Sequence, residues 1–320
     1  MSLRRGFLLF AAGAFAAAAA VSMAEGEAGA GLILSEKKSE PASLHTIAVA
    51  EAPVTLVFRS LQPGEAILVK LTDDAAVRKI GLTLGDQIRT LIPAGWGDPG
   101  FQAALFGIDM GTTPKNLVLK VKMERLDGTT ESHEIPLAVA HREFPSTRLQ
   151  VAPAMAGPPR EEQEAIRRES ELVAEVLSAV SPDWLAEGPF QSPLPAYEPF
   201  PNFGQRRIYN KTVSSIHSGV DISAPRGTRA VAPNSGRVVL ASRLYLSGWT
   251  VVIDHGRGVF SYCCHFDKLL VKRGDPVRKG QAIALVGSTG RSTGPHVHWS
   301  ARIAASRVDP LSLLALPLED

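Results

Sequence analysis

At 320 residues the chain is too long for one average domain and suits two, with connectors. An apolar fraction of 45% and a charged fraction of 21% are those of a folded globular protein, which excludes wholesale disorder. A formal charge of +2 leaves no basic footprint, so nucleic acid is not an expected partner, and two adjacent cysteines, Cys263 and Cys264, cannot staple a disulfide framework.

The first 24 residues carry the pattern of a signal peptide. Met1 to Arg5 supplies a positive end, Gly6 to Val21 an apolar run of 16 residues, and Ser22-Met23-Ala24 the small residues of a cleavage site. The run is shorter than the ~20 residues of a membrane span. The mature chain is therefore expected to have no membrane span and to work outside the cytoplasm, in the periplasm, cell envelope or extracellular space. Arg4-Arg5 also fits a twin-arginine signal, although two ordinary positive residues of a general secretory signal suffice. Residues 25–45, mixing Gly, Ala, Ser, Lys and Glu without a period, are expected to form a flexible lead-in.

Residues 46–151 read as strands. Ile67, Val69 and Leu71 alternate with Leu68 and Lys70; Leu117, Leu119, Val121 and Met123 alternate with Val118, Lys120 and Lys122; Ile135, Leu137 and Val139 follow the turn at Asp127-Gly128. An immunoglobulin-like β-sandwich is expected, with His133 and His141 as surface residues. Spacing, substrate docking and autoinhibition all remain open as its role. In residues 152–200, Pro158-Pro159 opens a helix with an apolar stripe of Ile166, Val173, Val176, Leu177 and Val180, and Ser181-Pro182 stops it. A proline-rich, stiff linker from Gly188 to Phe203 leads into the last domain.

Residues 201–320 contain short runs bounded by glycine turns, Gly236 to Leu240, Thr250 to Ile253 and Ala282 to Val286, which read as strands buried on both faces of an all-β domain. Five of the eight histidines lie in this last third. In an extended strand, residues two apart share a face, so His296 and His298 can both face one cleft while Val297 faces the core. Gly219 between His217 and Asp221 argues against a helix, and in extended chain their four-residue offset again returns to one face. Histidine and carboxylate are ordinary zinc ligands, and a catalytic zinc takes three of them plus an open position. His217, Asp221 and one of the His296/His298 pair meet that count, leaving the other, with His265, for proton transfer. No His-Glu-x-x-His helix occurs, the glycine-rich run Gly287 to Gly294 lacks a phosphate-loop ending, and Ser292 and Ser300 lie outside any Gly-x-Ser-x-Gly elbow. His255, just after a strand and before glycine, reads as a turn residue.

Several segments resemble the lysostaphin/LytM-type zinc metallopeptidase domain: Phe203 to Arg207, His217-Ser-Gly-Val-Asp221, Val271 to Val277, Gly287-Ser-Thr-Gly290, Gly294-Pro-His296-Val-His298-Trp299 and Asp309-Pro310. The resemblance covers roughly residues 202–316. It implies an antiparallel β-sheet peptidase domain with an active-site groove, a Zn2+ cofactor held by His217, Asp221 and His298, and catalytic roles for His265 and His296. The implied activity is hydrolysis of amide bonds in peptidoglycan stem peptides or cross-links. The alternatives are a non-catalytic peptidoglycan-binding or amidase-activating module of the same fold, and a zinc peptidase acting on proteins. Two positions depart from the family pattern. Cys263 stands where tyrosine is usual, and Ser300 stands where an acidic residue is frequent, which is expected to remove a contact behind the last ligand. Cys264 is expected to be a small buried residue.

Overall fold

The computed structural model describes residues 43–49, 52–72, 76–91, 102–149, 160–209 and 213–318. The signal peptide expected over residues 1–24 and the lead-in as far as residue 42 lie outside the described residues.

Period-two alternation produces the N-terminal layers. The strands are β1 (His45–Ala48), β2 (Val54–Phe58), β3 (Ala66–Leu71), β4 (Val77–Leu84), β5 (Gln87–Leu91), β6 (Ala103–Gly107), β7 (Lys115–Arg125) and β8 (Thr130–Val139). They form two four-stranded antiparallel sheets, ordered β1-β2-β3-β6 and β5-β4-β7-β8. Leu56 and Phe58, Ile67 and Val69, Ile80 and Leu82, and Val121 and Met123 meet in one core between the sheets, as a sandwich requires. The opposite face of the first sheet is also apolar. Val57, Ala66, Leu68 and Leu105 pack in a second cluster with Val259, Ile303, Val308 and Leu313 of the C-terminal domain. That second buried face is why Ala66 to Val69 reads as a continuous apolar run.

Next come β9 (Ser146–Leu149), helix α1 (Arg160–Ser178), β10 (Arg206–Tyr209) and β11 (Val213–Ile216). β9 pairs parallel to β10, and β10 pairs antiparallel to β11. Phe190, Leu194 and Phe203 are buried and anchor the proline-rich segment to the domain, whereas Phe200 between them is exposed.

The C-terminal sheet comprises β12 (Val220–Ser223), β13 (Arg229–Val231), β14 (Gly236–Leu244), β15 (Gly248–Asp254), β16 (Val259–Leu269), β17 (Pro276–Val277), β18 (Ala282–Val286), β19 (His296–Ile303) and β20 (Ser306–Val308), and ends in the short helix α2 (Pro310–Ala315). Its main path runs β12-β19-β16-β15-β14-β17, all antiparallel. One face, bearing Ile222, Val251, Ile253, Cys263, Val297 and Trp299, closes the domain core. On the other, Leu240, Leu244, Val252 and Phe260 are covered by Val173, Val176 and Leu177 of α1. Val173, Val176 and Leu177 of the predicted stripe thus pack, whereas Val180 lies beyond the helix end and is exposed, and no residue of α1 is fully buried.

A buried ion network ties the two parts together. Glu65 receives Arg59 at 2.6 Å and Arg142 at 3.1 Å, and the same two guanidiniums reach Asp309 Oδ2 at 2.8 and 3.1 Å. Asp309 also caps α2 by accepting from Leu311 N at 3.0 Å.

Candidate metal centre

β12 and β19 are antiparallel neighbours in which Asp221 lies directly opposite His298, and Ser223 opposite His296. Gly219 makes that pairing possible where the chain enters β12. A Cβ on it would sit 2.3 Å from the Trp299 carbonyl oxygen, so only glycine allows His217 and Asp221 to approach the partner strand this closely. The result is a triangle of ligand-type atoms: His217 Nε2 to Asp221 Oδ1 2.9 Å, His217 Nε2 to His298 Nδ1 2.8 Å, and His298 Nδ1 to Asp221 Oδ1 3.1 Å.

The outer side of each member is fixed by a neighbour. His217 Nδ1 lies 3.0 Å from the Asn202 carbonyl, which can only accept, so the proton sits on Nδ1 and the Nε2 lone pair faces the triangle. Asp221 Oδ2 accepts from Asn202 Nδ2 at 3.0 Å and Arg207 Nη2 at 3.1 Å, leaving Oδ1 turned inward. His298 Nε2 lies 2.8 Å from Ser300 Oγ, leaving Nδ1 inward. The contact expected to be lost at Ser300 is therefore present, made by a hydroxyl. Burial acts to raise the Asp221 pKa, but the His217 and His298 rings outweigh it and hold the carboxyl well below its usual range. His298 is shifted down by burial, toward the neutral form that ligates metal. Three inward acceptors this close repel one another unless a cation lies among them. A tetrahedral ion with bonds of about 2.0–2.1 Å spaces its ligand atoms by ~3.3 Å, near the separations here. The residues fit a metal ion, and this is the His/Asp/Glu/Cys group suited to one among the described residues.

His265 and His296 stand beside the triangle, their rings 4.8 Å apart, with His296 Nε2 3.7 Å from Asp221 Oδ1. Each donates Nδ1–H to a backbone carbonyl at 2.8 Å, His265 to Thr289 and His296 to Gly294, so both present a basic Nε2. The placement of His265 depends on a bulge. Between the pairs Trp249↔Phe266 and Val251↔Cys263, β16 holds one residue more than β15. Tyr262 and Cys264 line the cleft while Cys263 and Phe266 face the core, so the alternation slips at His265 and turns its ring outward. The cost is a left-handed backbone at this histidine, φ 68°, a strain that persists where the surroundings impose it. His265 lies inside β16 rather than at its end. Burial, the largest influence on its ring, lowers the pKa to about 4.

These residues line a cleft of about 670 Å³, with Ile166, Glu169 and Val173 of α1 on one side and Arg207, Arg291 and Arg302 among its polar groups. Glu169 accepts from Tyr245 N at 2.7 Å, and Tyr245 Oη also contacts Glu162. Cys263 and Cys264 are buried free thiols whose pKa values burial raises. His255 is fully buried, donating to Ser235 O at 2.8 Å and contacting Ser261 Oγ at 2.9 Å, apart from the cleft. Asn202, Thr289 and Ser300 hold the ligands and histidines in place. Only the last had a readable signal, its position two after His298 on the same strand face.

Residues 215–310 match peptidase family M23. A DD-carboxypeptidase/endopeptidase, Mpg, of Neisseria meningitidis is 42% identical over 102 residues, 32% of this chain and 23% of that protein. Peptidoglycan DD-endopeptidase ShyA of Vibrio cholerae is 37% identical over 111 residues, 34% of this chain and 26% of that protein. The chain thus spans about a quarter of the length of these curated relatives. A solved structure of a Pseudomonas aeruginosa protein assigned to peptidase M23 superposes with a TM-score of 0.56 at 26% identity, covering 80% of this chain and 96% of that one.

Proposed function

The chain carries a domain of peptidase family M23 at residues 215–310, and on that footing we propose that it is a zinc-dependent endopeptidase of the cell envelope. Its substrate is peptidoglycan, cut at amide bonds of stem peptides or cross-links. The observation that carries the reading is the triangle of His217, Asp221 and His298, each fixed from behind, with two further histidines presenting basic nitrogens beside it.

Zinc held by those three residues would supply Lewis acidity, bringing the pKa of water to around 7 and polarising the scissile carbonyl. The chain's own residues do the rest. Asp221 contributes the negative charge, and Asn202 and Arg207 keep its second oxygen from turning inward. His265 and His296 are the catalytic residues. They share removal of the water proton, stabilisation of the oxyanion and delivery of a proton to the leaving amine, through nitrogens whose tautomer the Thr289 and Gly294 carbonyls fix. A purely wall-binding module would have no need of all five side chains. Export directed by the first 24 residues would bring the chain to its substrate.

Digestion of purified peptidoglycan followed by mass analysis of the fragments tests the proposal. Cleaved stem peptides or cross-links are expected. Intact wall retained on the protein, with no new amine termini, contradicts it.

A further inference from the structure

On β19, His296, His298, Ser300 and Arg302 alternate onto one strand face, and all four line the cleft. Each of the first three has a hydrogen-bond partner. Arg302 differs: its Nη1 is closed off from solvent and has no hydrogen-bond partner among the described residues. The residue directly opposite it on β20 is Arg307, a like charge at a position where like charges oppose pairing.

The carboxylate whose field reaches Arg302 is that of Asp109, and both its oxygens are taken. Oδ1 accepts from Arg307 Nη2 and Gly111 N, each at 2.7 Å, and Oδ2 from Arg307 Nε at 3.0 Å and Arg307 N at 2.8 Å. Two arginines thus share one saturated carboxylate, and the surplus positive charge belongs to the wall of the cleft. Burial lowers the Arg302 pKa to about 10, which leaves it charged at neutral pH. A cation held this way is costly unless an anion joins it.

Arg302 lies four steps along the strand from His298, a distance of about 13 Å at ~3.3 Å per residue. An extended peptide covers that length in roughly four residues. We propose that Arg302 is a substrate-binding residue that turns its guanidinium into the cleft to pair with a free carboxylate of the peptide, a few residues from the bond that is cut. This rests on the peptidase reading and adds a specificity to it. The carboxylate has two sources in a wall peptide, a side-branch carboxyl or the free C-terminus, and a planar guanidinium suits either.

The test uses the full zinc-loaded chain and three synthetic wall peptides sharing one cleavable bond: unmodified, amidated at the branch carboxyl, and amidated at the C-terminus. One amidation is expected to lower kcat/KM about 10- to 100-fold, mainly through KM, and which one identifies the source. Arg302→Gln should lose as much on the unmodified peptide and become indifferent to amidation, while Arg302→Lys recovers part of the preference. Wild-type indifference to both amidations, or a preference that survives Arg302→Gln, overturns the proposal. If the wild type cleaves none of the peptides, the peptidase reading fails on its own. Calorimetric binding of the same three peptides then decides on Arg302: an amidation penalty abolished by Arg302→Gln supports the site, and no penalty overturns it. Because Arg302 faces Arg307, Arg302→Gln should melt at or above the wild-type temperature. A fall in melting temperature with unchanged peptide preference would make Arg302 a structural residue and also overturn the proposal.

Discussion

Asn202 shows how much of the candidate centre depends on residues outside the triangle. Its backbone carbonyl fixes the His217 tautomer, its side-chain amide donates to Asp221 Oδ2, and its Oδ1 accepts from Asp221 N at 3.2 Å. Asn202→Ala keeps the first contact and removes the other two. Metal affinity should fall about 10- to 100-fold, measured by competition with a chelator. An unchanged affinity would mean that Arg207 alone orients the carboxylate. The four histidines and the aspartate of the centre were legible as a group because metal chemistry admits few residue types and the strand period fixes which of them share a face. Asn202 was not, because an amide that works through a loop contact has no period to betray it. His255 shows the reverse case. Burial lowers its pKa from the ordinary 6.5 to about 4, so the unfolded chain binds a proton there that the folded one refuses. Stability should therefore decline as pH falls from about 6.5 to about 4, by roughly 3 kcal/mol from this group. Denaturant titrations of His255→Asn should lack that part of the decline, and identical pH profiles would refute it.

At the scale of elements, the site is a product of strand pairing. β12 supplies Asp221 and β19 supplies His298 at directly opposed positions, and the slack for their close approach is at Gly219. Gly219→Ala places a methyl against Trp299 backbone atoms that cannot move aside without opening the β12–β19 pair. Zinc binding should be lost while most of the sheet, including β15 and β16, persists. Metal analysis with far-ultraviolet circular dichroism checks both halves, and full zinc occupancy would show that the loop yields instead. Strand identity was readable here, since β14, β15 and β18 follow apolar runs bounded by glycine. The bulge at His265 was not. It arises from one surplus residue in β16 relative to β15, a relation between two strands that neither segment carries alone. The helix stripe was readable as a packing surface, but its destination on Leu240, Leu244, Val252 and Phe260 depends on which sheet face the topology leaves uncovered.

At the scale of the whole molecule, the sandwich and the C-terminal sheet share an apolar cluster and the Glu65/Asp309 ion network. Alternation predicted the sandwich, but the partner of its outer face is invisible in sequence because the contacts join residues some 250 positions apart, as in Arg59 with Asp309. Glu65→Ala leaves two half-buried guanidiniums short of a carboxylate and should destabilise the fold by about 3–5 kcal/mol. Equilibrium unfolding measures this, and a loss below ~1 kcal/mol would show that Asp309 alone satisfies both arginines.

Above all these sits the separation of metal holding from proton transfer, and metal content measured beside wall hydrolysis in two variants tests it most directly. Asp221→Ala is expected to lose bound zinc and activity together, whereas His296→Ala keeps zinc near one ion per chain and loses turnover by about 10²- to 10⁴-fold. Full zinc occupancy with undiminished wall digestion in Asp221→Ala, or loss of zinc in His296→Ala, would contradict the account.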